Sequence, residues 1–122
     1  MKNIFFVLLL IVSISCKGQE EKGVYTIDIQ TVHTDVIGKD VQLIDVRSEK
    51  EYNQGHIDDA ININIADKST FALKIQKLDK TQPVYIYCQA GVRSRRASKL
   101  MTELGFTRIY DFTGGWGAWK QQ

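Results

Sequence analysis

The sequence predicts an α/β fold built on a largely parallel β-sheet. Short apolar segments alternate with amphipathic stretches from Val24 onward, the strand candidates are rich in β-branched and aromatic residues, and no internal repeat is present. The 122 residues, of which 43% are hydrophobic and 25% charged, suffice for a single core and exclude wholesale disorder. A formal net charge of +2 excludes a polybasic nucleic-acid binder, so we expect no nucleic-acid partner.

Five segments are predicted to be strands. Residues 60–65 alternate apolar and polar side chains with the period of a strand. Residues 83–87 begin with the single proline and continue with β-branched and aromatic side chains, as expected of a strand that is covered on both faces. The complete set of predicted strands is 25–28, 41–45, 60–65, 83–87 and 109–112.

Two segments between the strands are predicted to be helices. In the first, Ser69 is the predicted N-cap, and the second runs from Ser94 to Leu104 and stops at Gly105. Their apolar side chains recur at helical spacing, and these are Phe71, Leu73, Ile75 and Leu78 in the first helix and Ala97, Leu100, Met101 and Leu104 in the second.

The predicted topology places several polar side chains at one edge of the sheet. Parallel strands gather their carboxyl ends on one side, and ligands bind there in this class of fold. The residues that this edge collects are Asp45, Arg47, Asn64, Cys88 and residues 113–115. The thiol of Cys88 is the reactive group among them.

The first 15 residues have the pattern of a secretory signal peptide. Lys2 is followed by an apolar run at 4–14 in which only Ser13 is polar. This run is too short to cross a bilayer as a helix, which needs about 20 apolar residues. We therefore predict a signal peptide at 1–15, a polar tether at 16–23 and one domain at 24–122.

Cys16, directly after the apolar run, is a predicted lipidation site. Residues 12–15 before it resemble the lipobox of bacterial lipoproteins, a family in which the cysteine becomes the lipid-modified first residue of the mature chain. The protein would then be extracytoplasmic and lipid-anchored to a bacterial membrane, facing the periplasm or the cell surface. The alternative is an ordinary secretory signal in which Cys16 has no role. If Cys16 is acylated, Cys88 has no disulfide partner in the chain.

The loop after the fourth predicted strand carries the features of a reactive cysteine. It reads CQAGVRS from Cys88 and leads into a helix, whose N-terminus offers unpaired amides and about half a positive charge. Gly91 permits a turn with positive φ that points successive amides inward. Nearby cations, which also favour a thiolate, are Arg93, Arg95, Arg96 and Lys99. The alternative is a buried structural cysteine beside a phosphate-like turn.

The chain from Tyr25 to Trp119 resembles the rhodanese family of sulfurtransferases. The resemblance rests on LIDVRSEKEY at 43–52 followed by GHI at 55–57, on the Cys88 loop, and on GF at 105–106 followed by GGW at 114–116 and Trp119. The family implies a five-stranded parallel sheet with helices on both faces and an active cysteine in a short loop.

The resemblance also implies a chemistry. Cys88 would be the catalytic nucleophile, taking sulfane sulfur from a thiosulfate-type donor as a persulfide and passing it to a thiol or cyanide. It needs neither a metal nor an organic cofactor, and we expect a monomer whose partners are small sulfur donors and thiol acceptors. The residues expected to bind the substrate are Gln89, Ala90, Gly91, Val92, Arg93 and Ser94. Arg93 would bind or steer the anionic donor.

Two residues of the sheet edge are expected to support the loop. Asp45 resembles the family aspartate that does so, and Arg47 is predicted to form a structural ion pair with Glu51, one helical turn away. His56 is interpreted as a structural hydrogen-bonding residue, and the two tryptophans as core or wall residues.

Two other functions stay open from the sequence. One is a non-catalytic rhodanese module that binds a partner or senses redox state. The other is an arsenate or phosphate-ester enzyme on the same loop. Related phosphatase-type domains carry one more residue in this loop than the stretch from Cys88 to Arg93, so its length disfavours phosphatase activity.

Overall fold

A parallel β-sheet forms the centre of the computed structural model, which describes residues 22–122. All strand pairs are parallel, and the strand order is β1-β5-β4-β2-β3, which places β4 between β2 and β5. The strands are β1 (Val24–Ile27), β2 (Gln42–Asp45), β3 (Ile61–Asn62), β4 (Val84–Tyr87) and β5 (Ile109–Phe112). The predicted five-stranded parallel sheet is confirmed.

Five helices cover both faces of this sheet. They are α1 (Ile29–Asp35), α2 (Glu49–Gln54), α3 (Lys68–Ile75), α4 (Val92–Glu103) and α5 (Gly115–Trp119). Because side chains alternate along a strand, Ile86 packs with α3 and α4 whereas Tyr87 packs with α1, α2 and α5. The sheet therefore separates two apolar cores, and β4 contributes to both.

Several element boundaries differ from the predicted ones. The third strand pairs over two residues only, although Ile63 and Ile65 beyond it are buried and their amides bond to the chain at and just after the end of β2. The N-cap of α3 is Asp67, because its carboxylate accepts from the amides of residues 69 and 70. Leu73, one of the apolar side chains at helical spacing in this helix, is 72% exposed.

Three short helices, α1, α2 and α5, were not predicted as helices. Each has five to seven residues, which is too short for a clear helical period in the sequence. The start of α2 nevertheless has a capping box, in which Ser48 accepts from the amide of Glu51 and the Glu51 carboxylate accepts from the amide of Ser48.

The predicted signal peptide and the lipidation site at Cys16 lie outside the described residues. Within residues 22–122, no helix is both long enough and apolar enough to span a bilayer.

Candidate active site

Cys88 lies directly after the last residue of β4, at the carboxyl edge of the sheet. Only 1% of the residue is exposed, and it is a free thiol. The amide of Gly91 donates to its sulfur over 3.0 Å. The thiol in turn donates to the hydroxyl oxygen of Ser94 at 3.6 Å, and this hydroxyl donates to the carbonyl of Gly91 at 3.2 Å. The sulfur is thus placed inside the turn that opens α4.

Gly91 is the residue that makes this turn possible. It is the N-cap of α4 with φ of +97°, in the left-handed region, and no side chain caps the helix. A Cβ at this position would lie 3.0 Å from the carbonyl oxygen of Thr113, which is tighter than usual packing. Glycine therefore satisfies both the backbone conformation and the close approach of the loop after β5.

The surroundings of Cys88 favour its thiolate form. Burial by itself would raise the pKa of the Cys88 thiol, but hydrogen bonding that favours the thiolate outweighs burial and the pKa is lowered. The groups that favour the thiolate in this way are the amide and hydroxyl of Ser94 and the amides of Ala90 and Gly91. Amides at a helix N-terminus were the predicted source of thiolate stabilisation.

The guanidinium of Arg93 lies against the carboxylate of Glu51. Its two terminal nitrogens donate to the two carboxylate oxygens at 2.6 and 2.9 Å. This bidentate pair lowers the pKa of Glu51 to about 2 and raises the pKa of Arg93. The pair ties α2 to the start of α4. Both terminal nitrogens of Arg93 are engaged by Glu51 in this structure. Direct binding of a donor by Arg93 stays a prediction.

The predicted ion pair between Arg47 and Glu51 is wrong. Arg47 is buried and pairs instead with the buried carboxylate of Asp45, through three side-chain hydrogen bonds of 2.7 to 3.1 Å. Its Nη2 also donates to the carbonyl of Gly55 at 2.6 Å. Helical spacing suggested Glu51 as the partner of Arg47. The Arg47 guanidinium instead binds the carboxylate of Asp45, which is nearer in the chain and also buried, and Glu51 pairs with Arg93.

Asp45 and Arg47 reach the cysteine loop through Trp116. The guanidinium of Arg47 lies 5.3 Å from the centre of the Trp116 ring, and the amide of Trp116 donates to the carbonyl of Cys88 at 2.8 Å. The predicted supporting role of the two residues is therefore indirect in this structure. Trp116, which was interpreted from the sequence as a core or wall residue, makes both of these contacts.

The N-terminal turn of α5 holds the cysteine loop from the other side. Besides Trp116, the amide of Gly117 donates to the carbonyl of Gln89 at 3.1 Å. Gly115 has φ of +61°, and a Cβ there would lie 2.4 Å from the carbonyl of Cys88. These contacts between α5 and the cysteine loop were not predicted from the sequence. The signal that could have found them is the glycine pair at 114–115, directly after a strand of the same sheet.

The mouth of the loop is exposed and basic. Val92 is 73% exposed, and Ala90 is also on the surface. The cations at 95, 96 and 99 are exposed on α4, and none of them pairs with a carboxylate of the described residues.

Asn64, predicted to lie at the sheet edge, and His56, interpreted as a structural residue, both have local contacts. Asn64 is exposed and accepts from the amide of Ala66. His56 stacks on Tyr52 with ring centres 4.0 Å apart, and its Nδ1 lies 3.1 Å from the Tyr52 carbonyl, in agreement with a structural role. In residues 22–122, no group of three or more potential ligands is arranged to hold a metal.

Comparisons with known proteins agree on one family. The model of the rhodanese-like domain matches residues 28–122. A thiosulfate sulfurtransferase GlpE from Shewanella oneidensis is 35% identical over 83 residues, which cover 68% of this chain and 79% of the relative. A GlpE from Coxiella burnetii is 32% identical over 82 residues, covering 67% of this chain and 74% of the relative.

A solved structure supports the same fold. A rhodanese-related protein from Thermoplasma volcanium aligns with a TM-score of 0.68 and 27% identity. The alignment covers 80% of this chain and 91% of that protein.

Proposed function

The chain belongs to the family of rhodanese-like domains, and we propose that it transfers sulfane sulfur from a thiosulfate-type donor to a thiol or cyanide through a persulfide on Cys88. The observation that carries the proposal is the sulfur of Cys88, which accepts the Gly91 amide at the N-terminus of α4 and has a lowered pKa. A thiolate so stabilised is the nucleophile that sulfur transfer requires. The names of the relatives from Shewanella oneidensis and Coxiella burnetii support the same reaction class.

The first half of the reaction charges Cys88. Its thiolate attacks the outer sulfur of thiosulfate, a new S–S bond forms on Cys88, and the S–S bond of the donor breaks. Sulfite leaves with the electron pair of that bond. The negative charge on the outer persulfide sulfur would be stabilised by the amides of the loop and by the dipole of α4.

The second half discharges the persulfide. An acceptor thiolate attacks the outer sulfur, the S–S bond to Cys88 breaks, and its electrons return to Cys88 as a thiolate. The acceptor leaves as a persulfide, or as thiocyanate when the acceptor is cyanide. No change in the redox state of the protein remains at the end of the cycle.

The loop from Gln89 to Ser94 would hold the transferred sulfur. The amide of Gly91 already donates to the sulfur of Cys88, and the amides of Ala90 and Ser94 also favour its thiolate form. All three would serve the persulfide in the same way. Arg93 adds positive charge close to the sulfur, since its pKa is raised in part by Cys88. In our proposal Arg93 acts by this charge and by fixing the loop to Glu51.

Intact mass spectrometry tests the proposal. The full chain carrying Cys16→Ser, in which Cys88 is the single cysteine, is incubated with thiosulfate and weighed. We expect a gain of one sulfur atom that is absent from Cys88→Ser and that disappears when a thiol is added. No adduct with thiosulfate or with any other sulfane donor would refute sulfur transfer and favour a non-catalytic binding module.

We further propose that the mature chain is lipid-anchored at Cys16 outside the cytoplasm. The support is the sequence alone, an apolar run that ends at a cysteine in a lipobox-like context. Labelling with radioactive palmitate in a bacterial host should mark the parent chain and not Cys16→Ser. Equal labelling of both chains, or of neither, would contradict the anchor.

A further inference from the structure

Asp111, on β5, is a buried carboxyl group that the proposed mechanism does not use. It is 4% exposed, and its Oδ1 has no hydrogen-bond partner. It lies beside Ile86 of β4 in the sheet register. Cys88 follows Ile86 by two positions, so both point to the same face of the sheet, the face covered by α4.

The buried face of α4 is polar at two positions. Ser94 and Ser98 are one turn apart and buried, and the rest of this layer is apolar. The Ser94 hydroxyl lies close enough to the Asp111 carboxyl to act on its pKa, and neither Oδ1 of Asp111 nor the Ser98 hydroxyl has a hydrogen-bond partner within residues 22–122. Buried polar atoms without partners are few in native proteins, and their location beside a reactive group points to a function.

Ser94 connects Asp111 to the reactive sulfur. Its hydroxyl has one hydrogen, which in this structure is directed to the carbonyl of Gly91, while its oxygen accepts the thiol of Cys88. When the thiol has lost its proton to solvent, the sulfur can only accept. The hydroxyl must then turn its hydrogen to the sulfur, and its oxygen is left free to accept a hydrogen bond from another group.

We propose that Asp111, as a neutral carboxylic acid, donates to the turned Ser94 hydroxyl and so positions it as a donor to the Cys88 thiolate. Asp111 touches no substrate and acts through Ser94, which makes it a positioning residue. This inference rests on the proposed function, because the thiolate that Ser94 would stabilise is the nucleophile of sulfur transfer. Its chemistry is a rearrangement of hydrogen bonds in which no covalent bond to sulfur forms or breaks.

The surroundings of Asp111 favour its protonated, neutral form. Burial raises its pKa, and the neighbouring Ser94 hydroxyl and the charge of Arg95 offset this only in part. Among the described residues, Arg95 on α4 is the charged group that acts on its pKa, and the Cys88 thiol lies beyond Ser94. Its partners in register on β1 and β4, Thr26 and Ile86, do not titrate. An ionised Asp111 would compete with the thiolate for the single hydroxyl hydrogen and would repel it.

The pH profile of Cys88 alkylation by iodoacetamide tests this inference without any sulfur transfer. In the full chain carrying Cys16→Ser, Asp111→Val should shift the profile to higher pH and slow alkylation at neutral pH about tenfold, with the limiting rate at high pH kept. Asp111→Asn, whose amide can donate to Ser94, should keep the parental profile. Ser98→Ala removes a hydroxyl from the same buried layer and is the matched control, with no shift expected.

Two results would overturn the inference. One is an unshifted profile in a folded Asp111→Val variant. The other is faster alkylation of Asp111→Asn at neutral pH, which would mean that the variant had removed a negative charge. If Asp111→Val does not fold, infrared difference spectra of the parent against Asp111→Asn decide. A protonated-carboxyl stretch that shifts on alkylation of Cys88 supports the inference, and its absence refutes it. Failure of persulfide formation alone would refute the proposed function and leave these profiles unaffected.

Discussion

Two buried carboxyl groups lie on the strands on either side of β4, which leads to Cys88, and the two groups have different partners. The carboxylate of Asp45, on β2, accepts three side-chain hydrogen bonds from Arg47, which is also buried. Asp111 of β5 has no ion-pair partner in the described part of the chain, lies near Ser94 and keeps Oδ1 without a hydrogen bond. The same residue type is thus an ion-pair anchor on one side of β4 and a candidate hydrogen-bond donor on the other. The partner on the neighbouring element decides which.

The largest effect should come from breaking the ion pair. Arg47→Ala leaves the Asp45 carboxylate buried without its partner and also removes the contact with the Gly55 carbonyl. We expect a loss of about 3–5 kcal/mol in the free energy of unfolding, measured by urea titration. Asp111→Asn is the matched change on the other side of β4, and we expect less than about 1 kcal/mol from it. Equal losses would show that the two carboxyl groups have the same role.

Ser94→Ala should have the next largest effect, on reactivity more than on stability. The substitution removes a hydroxyl that lowers the pKa of the Cys88 thiol. Since hydrogen bonds to charged groups contribute about 1.5–3 kcal/mol, alkylation of Cys88 near neutral pH should slow at least tenfold. The amide of residue 94 is unchanged, so the pKa should stay below that of a buried cysteine without such bonds. A profile identical to the parent's would remove Ser94 from the site.

Arg93→Ala should weaken turnover of thiosulfate without unfolding the chain. Loss of the charge-assisted hydrogen bonds and of the cation near the sulfur should reduce donor affinity by about 1.5–3 kcal/mol, measured by saturation kinetics with circular dichroism as the folding control. Glu51→Gln separates the two roles. If Arg93 acts mainly through its tie to Glu51, both variants should lose affinity. If Arg93 binds the donor directly, Glu51→Gln should keep or improve it.

The smallest effect should be a pH dependence of stability. The folded pKa of Glu51, about 2, lies below the value of a free glutamate, because Arg93 binds the ionised carboxylate. Its contribution is therefore complete above about pH 4.5 and is lost as the pH falls toward 2. The pair is about one-third exposed, so we expect no more than about 1 kcal/mol. Urea unfolding at pH 6 and pH 3 should show a smaller difference in Glu51→Gln than in the parent.

The sequence predicted the sheet because its strands carry strong local signals. The β-branched and aromatic residues of 83–87 and the alternation at 60–65 locate strands without tertiary information. The turn at Cys88 was predictable for the same reason, since a strand, a glycine and a helix start are adjacent in the chain. Helices of five to seven residues have too few turns for a period, which is why α1, α2 and α5 were missed.

The pairing of charged side chains was the part that the sequence could not supply. Glu51 has Arg47 one turn away in the chain, yet it pairs with Arg93, 42 residues distant. The two groups meet because α2 follows β2 and α4 follows β4 at the same carboxyl edge of the sheet. Asp111 illustrates the same limit, because nothing in the sequence of β5 shows that its side chain faces Ser94.

Transfer of labelled sulfur is the most direct test of a persulfide on Cys88. Thiosulfate labelled at its outer sulfur is mixed with an equal amount of the full chain carrying Cys16→Ser, and the label is followed first in the protein and then in an added thiol. We expect the label to appear on Cys88 as sulfite is released and to move to the thiol on its addition, with neither step in Cys88→Ser. Label that stays in thiosulfate, or that reaches the thiol equally well with Cys88→Ser, would contradict a persulfide on Cys88.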